Sequence, residues 1–208
     1  MKNFLVITCL LFLSTFVLGQ DGKQIVKELQ EKFESIKNLS AVFSQSTEFP
    51  DVKKPVIYNG KFLFEKENKY RIELKNSDII TDGKTVWNYN KKAKKVVIDN
   101  AEGNSEIFSI KNIVYNYPDQ STIILIDKET LNGDSCNVIQ LTPTGKDKNF
   151  ESVKLWIDNN SLIKKFEIKN TDNSIIIFEL SDIRINQKIP NDKFVFNPPQ
   201  GTEIIDLR

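Results

Sequence analysis

The pattern of apolar and polar positions changes period early in the chain. Ile25, Val26, Leu29, Phe33, Ile36 and Leu39 recur at helical spacing, opposite a face of Lys27, Glu28, Gln30, Glu31, Lys32 and Glu34. Asp21, three residues before Gln24, reads as the N-cap acceptor of this helix. From Ser40 the period falls to two. Ala41, Phe43 and Gln45 alternate with Val42, Ser44 and Ser46, and the run ends near Pro50 and Pro55. Strands follow at 58–65 and at 69–74, where Tyr70, Ile72 and Leu74 share one face and Arg71, Glu73 and Lys75 the other; the polar Lys66-Glu67-Asn68 joins them as a hairpin.

The stretch from Asp78 to Asn90, DIITDGKTVWNYN, predicts another hairpin. Its Asp82-Gly83 pair suits a type I′ turn, in which both central residues need positive φ. Lys91-Lys92-Ala93-Lys94-Lys95 turns the chain into Val96-Val97-Ile98, a charged turn that guards a sheet edge. Alternation then breaks. Ile107, Phe108, Ile110, Ile113, Val114 and Tyr117 form a helical stripe that Asn104 or Ser105 caps and Pro118 stops. Strands follow at 121–126, 137–142, 152–158, 163–169 and 174–185, separated by Gly133, Gly145, Asn159-Asn160 and Asp172-Asn173, which favours an antiparallel meander.

In 174–180 both alternating sets are apolar, which predicts a strand covered on both faces. An antiparallel sheet usually keeps one face wet. Two helices cover only part of a curved sheet of about ten or eleven strands, so an enclosed apolar space is expected, the kind of place that takes hydrophobic ligands.

Composition narrows the chemistry. The chain has 208 residues, 39% hydrophobic and 27% charged, which suits one globular domain. Lys2, the apolar run from Phe4 to Phe16 and Val17-Leu18-Gly19 describe a secretory signal peptide over 1–19, leaving one soluble domain over 20–208. Cleavage would remove Lys2 and no acid from 29 basic and 28 acidic residues, so the mature chain balances and nucleic acid is not an expected partner. Cys9 would leave too, and Cys136, alone in a strand, reads as a small core residue.

The chain contains no His, which removes Ser-His and Cys-His hydrolysis and the usual general base near neutral pH. Only carboxylates and one mature Cys remain as metal ligands, and no Gly-rich phosphate loop occurs. Neither an enzyme nor a metal or organic cofactor is expected, although sequence leaves open a carboxylate pair for glycoside hydrolysis.

The capped helix followed by Ala41-x-Phe43-x-Gln45, Gly60 opening a strand, Tyr70-Arg71, DGKTVWNY at 82–89 and the tail FVFNPPQG at 194–201 resemble the outer-membrane lipoprotein carrier family, LolA, over nearly all of the mature chain. The resemblance implies an α+β fold: an unclosed antiparallel β-barrel of about eleven strands under short helices that form a lid. It implies a monomeric periplasmic carrier without cofactor. Such a carrier takes acylated lipoproteins from an inner-membrane ABC exporter and delivers them to an outer-membrane receptor where one exists.

By the same resemblance Leu29, Phe33, Ile36 and Ile110 are lid positions, and Phe43, Phe62, Phe64, Tyr70, Ile72 and Trp87 belong to the cavity and barrel wall. Trp87 is expected inside, near the lipid. The family's latch arginine has Lys66-Glu67 in its place, so Lys66 and Arg71 are the latch candidates. Lys is a point-charge donor and lacks the planar fork of Arg. Related barrels also serve as sensing domains of envelope-stress regulators, which makes a lipid- or lipoprotein-sensing module the second reading.

Overall fold

The computed structural model describes residues 17–66, 68–101, 111–145 and 150–208, with side chains from residue 22 onward. Helix α1 (Val17–Ser35) precedes β1 (Asn38–Glu48), β2 (Val56–Glu65), β3 (Lys69–Leu74), β4 (Ser77–Thr81), β5 (Thr85–Asn90) and β6 (Lys95–Asn100). A π-helical turn (Asn112–Asn116) runs into a short α2 (Tyr117–Asp119). The chain continues as β7 (Ser121–Leu131), β8 (Asp134–Pro143), β9 (Ser152–Asp158), β10 (Ile163–Lys169), β11 (Ile175–Ile185), a 3-10 turn (Asn191–Phe194) and β12 (Glu203–Asp206).

These strands form one sheet in the order β12-β6-β5-β4-β3-β2-β1-β11-β10-β9-β8-β7. Its ends do not meet, so it is an unclosed barrel. All neighbours are antiparallel except β12, which runs parallel to β6 through Glu203↔Lys95 to Asp206↔Ile98. This twelfth strand has no signal in the alternating pattern, because it is short and borrows its ladder from β6.

The register assigns every side chain to a face. Ala41, Phe62, Ile72 and Ile79 are successive partners on one face, and Phe43, Leu180 and their neighbours continue it through Phe178, Phe166, Leu155 and Ile139. This concave face carries the main core, and α1 and the π-helical turn lie against it through Val26, Leu29, Ile113 and Val114. A Cβ at Gly60 would meet the Glu73 carbonyl at 2.5 Å and the Phe43 ring at 2.8 Å, so glycine is what lets that ring lie across β2. A Cβ at Gly22 would be 2.9 Å from the Leu125 amide, which is how closely α1 approaches edge strand β7.

Four local expectations are corrected. The helix runs from Val17, so Asp21 lies within it and does not cap it. Asp82-Gly83 is not a type I′ turn, because only Gly83 has positive φ (92°); Asp82 Oδ1 instead accepts from the Lys84 and Thr85 amides at 2.9 and 2.8 Å. The type I′ geometry occurs at Asn132-Gly133, with φ of 52° and 91°, where it closes a β7–β8 hairpin longer than the apolar runs suggested. Pro118 does not stop a helix: it is buried in the first turn of α2, where its missing N–H costs nothing. The upstream part of the expected second helix, including Ile110, lies outside the described residues.

Candidate functional site

Between the concave face and α1 lies a cavity of about 420 Å³, within the range of about 300–1,000 Å³ that holds small ligands. Leu29, Phe33 and Ile36 of α1 form one side, because their spacing puts them on one helical stripe. Phe62 of β2, Phe166 of β10 and Ile176, Phe178 and Leu180 of β11 form the sheet side. Ile113, Val114, Tyr117 and Phe150 close the space between helix and sheet. The rings brace one another, with Phe166 and Phe178 stacked at 4.6 Å and Tyr117 against Phe150 at 4.6 Å.

Polar groups are few. Gln45, Asn112, Ser161 and Asn170 reach the lining, and Lys32 is the one charged residue among the described residues that does. Burial raises the Tyr70 and Tyr117 phenols above their usual range, so both stay neutral and add ring surface to this side of the protein. The same described residues hold no cluster of three metal-binding side chains. The geometry can enclose an apolar chain and fix a small polar group at its rim.

The end of α1 is tied down beside the cavity. Lys66, in the β2–β3 turn, donates to the Glu34 carbonyl at 2.5 Å and stands 3.5 Å from the Glu34 carboxylate. A cation at this place satisfies a helix-terminal carbonyl and complements the helix dipole. The Tyr115 hydroxyl donates to Glu34 Oε1 at 2.5 Å. That bond, followed by the Lys66 charge, holds the Glu34 carboxyl below the usual carboxylate range. Burial and the bond to Glu34 push Tyr115 up to about 12. Nearby, Gln30 Nε2 donates to the Val114 carbonyl at 3.0 Å, and the Phe33 ring lies 5.9 Å from Phe64 and 6.1 Å from Tyr115.

The sequence-derived positions divide into groups. Leu29, Phe33, Ile36 and Phe62 line the cavity. Phe43 and Ile72 are buried in the main core beside it, and Phe64 and Tyr70 are half-buried against that core. Lys66 holds the helix end as described. Two assignments are corrected.

Trp87 is on the convex face, opposite the cavity, because its partners Ile80 and Ile98 alternate with the concave Ile79 and Val97 neighbours' set; it packs with Tyr89, Val96, Ile98 and Phe196. The DGKTVWNY hairpin offers apolar residues on both faces, and only pairing with β4 decides which faces inward. Arg71 is also convex. It bonds Glu73 at 2.7 Å, Asp78 at 3.4 Å and the Lys193 carbonyl at 3.3 Å, and so holds the C-terminal tail rather than the helix.

The doubly apolar strand is likewise asymmetric. Ile176, Phe178 and Leu180 face the cavity, whereas Ile175 and Ile177 are half-buried on the convex side between Glu48 and Ser46 of β1 and Lys169 and Glu167 of β10. Long aliphatic stems account for their partial cover. Sequence reasoning missed Phe166, Phe178, Phe150 and Tyr117 as lining residues and Glu34 and Tyr115 as latch partners. Phe178 had a signal in the apolar run of β11; Glu34 and Tyr115 are polar-face positions that only the fold brings together.

Comparison with known proteins places the fold and cavity in context. The family model described as outer membrane lipoprotein carrier protein LolA matches residues 34–197. The outer-membrane lipoprotein carrier protein of Pasteurella multocida is 26% identical over 217 residues, covering 100% of this chain and 99% of that one. An uncharacterized protein, MJ0687, of Methanocaldococcus jannaschii is 24% identical over 212 residues, covering 98% of this chain but 60% of its relative. In fold the chain is similar to the crystal structure of MucB, with a TM-score of 0.58 at 11% identity, covering 89% of this chain and 66% of that chain. With an unclosed sheet, a helical cover over an apolar cavity and a family match across most of its length, the chain belongs to the outer membrane lipoprotein carrier protein (LolA) family.

Proposed function

We propose that this protein carries acylated lipoproteins through the periplasm, holding their acyl chains in the cavity under α1. The carrying observation is the cavity itself: an apolar space of about 420 Å³ roofed by Leu29, Phe33 and Ile36, with Lys32 as its single charged lining residue among those described. The family membership supports the same reading. Each CH₂ kept from water is worth about 0.8 kcal/mol, so acyl chains do not cross an aqueous compartment unaided.

In this reading an inner-membrane ABC exporter supplies the cargo and an outer-membrane receptor, where one exists, removes it. Lys66 with Glu34 and Tyr115 holds the lid helix over bound chains. No helix of the described residues is long and apolar enough to cross a membrane.

A release assay tests the proposal. The purified protein added to spheroplasts is expected to draw a newly made lipoprotein into the medium as a soluble complex. Spheroplasts that retain all of their lipoprotein at every carrier concentration would contradict it. The same cavity would also serve a lipid-sensing module, the second reading; that reading expects acyl binding without release.

A further inference from the structure

We infer that the end of the sheet bearing the β1–β2, β3–β4 and β5–β6 turns is a docking surface for an anionic lipid bilayer. The inference rests on the carrier reading for its purpose, and on separate residues for its evidence. Because β1 to β6 are successive antiparallel neighbours, these three turns emerge at one end, while the β2–β3 turn with Lys66 emerges at the other.

The β1–β2 hairpin overhangs that end. Its partner β3 begins to pair only at Gly60↔Leu74, so Val56 to Asn59 are held from one side alone, by β1. Every residue from Glu48 to Asn59 is exposed. Among them Phe49, Val52, Val56, Ile57 and Tyr58 expose 43%, 53%, 40%, 56% and 50% of their surface. Single exposed apolar residues are ordinary, but this projecting tip carries five, with Val56 and Tyr58 on the concave side of β2 and Ile57 on the convex side, a concentration of the kind that marks an interaction site.

Charge selects the occupant. Lys53 and Lys54 on the tip, Lys75 on the second turn and Lys92 and Lys94 on the third are exposed, against the exposed acids Glu48 and Asp51 on the tip, Asp172 on the neighbouring β10–β11 turn and Glu203, which pairs with Lys95 at 3.2 Å. Bulky apolar and tyrosyl side chains flanked by lysines are the composition of segments that insert shallowly at a bilayer interface, with the ring at headgroup level and ammonium groups on phosphates. The position has a use. Gln45, Ile176 and Asn170, which line the cavity, lie at this same end, with Gln45 paired to Tyr58 and Ile176 to Thr47. A tip seated in a bilayer would bring that end of the cavity to the lipid surface, shortening the aqueous path of an acyl chain.

The test uses flotation of the purified full chain with vesicles of phosphatidylcholine alone and of equal parts phosphatidylcholine and phosphatidylglycerol, at low and high salt. A fluorescent fatty acid reports the cavity in parallel. Wild type is expected to float with the mixed vesicles, at least about tenfold more strongly at low salt than at high salt. Val52→Asp with Ile57→Asp, and separately Lys53→Glu with Lys54→Glu, are expected to lose about tenfold or more of that binding while taking up the fatty acid as wild type does. Both pairs lie on an exposed tip, and unchanged fatty-acid uptake certifies the fold.

Tip variants that float as well as wild type would overturn the inference, as would wild type that ignores anionic vesicles. Capture by a solubilised membrane protein with no vesicle binding would overturn it too, in favour of a protein partner. Vesicle binding through the tip without fatty-acid uptake would uphold the docking surface and sink the carrier reading alone.

Discussion

The concave and convex faces of the sheet are both rich in apolar side chains, yet they do different things. On the concave face, Phe62, Phe166 and Phe178 look across about 420 Å³ of space toward α1. On the convex face the rings meet the tail and polar side chains instead. Tyr89 meets Phe196 at 4.9 Å, Trp87 lies in the same cluster, and Phe194 is 1% exposed. Farther along, Trp156 donates to Glu129 at 2.8 Å under the Lys165 ammonium, beside the buried Cys136 and Val138. The convex rings pack against the protein's own tail and charged side chains; the concave ones pack on one another and also border the cavity. Apolar content therefore does not locate the site. Unfilled apolar surface does.

The largest expected effect separates stability from binding. Phe194→Ala should cost about 3–5 kcal/mol of unfolding free energy, read from urea melts, while fatty-acid affinity of the folded fraction stays within error. Next, Phe33→Glu sets a charge on the cavity roof and should weaken fatty-acid binding by about tenfold or more with the barrel still folded; unchanged affinity would remove α1 from the site. Trp87→Ala should cost about 2 kcal/mol of stability and leave affinity alone. A matching loss of affinity would mean that the two faces are not independent.

The smallest effects concern the latch. Lys66→Ala removes an exposed ion pair and should cost only about 0.5–1 kcal/mol, but it should speed exchange of bound fatty acid, measured by stopped flow. The pH dependence has two limbs. Glu34 is held low, so its contribution is complete above the ordinary carboxylate range and fades as pH falls through its folded value. Tyr115 is held high, so its contribution is complete below the ordinary phenol value and fades as pH rises through about 12. Exchange should be slow and flat between these limits. Glu34→Gln, which cannot titrate, should lose the acid limb; an acid limb that persists would place the switch elsewhere.

Much of the fold was legible from period alone. The strands at 69–74, 152–158 and 163–169 match β3, β9 and β10 residue for residue, because polar turns bound each short run. The α1 stripe held Leu29, Phe33 and Ile36 among six apolar positions, and the family resemblance picked these three as lid positions; all three line the cavity. What stayed hidden depends on long-range register. Trp87 and Tyr89 differ from Val86 and Asn88 only by one step of a two-residue period, and which set faces inward is decided by pairing with β4 and by the tail that covers the other side. β12, four residues in parallel with β6, and the Glu34–Tyr115 bond, which joins positions 81 residues apart, are long-range facts of the same kind.

The most direct measurement is native mass spectrometry of the protein expressed with its own N-terminal segment in a bacterial periplasm and purified without detergent. The account expects a population carrying acylated cargo, with that cargo absent from Phe33→Glu and retained by Trp87→Ala. A protein that is uniformly empty, or whose cargo is lost from Trp87→Ala and kept by Phe33→Glu, would contradict the central claim that the space under α1 is where lipoprotein acyl chains are held.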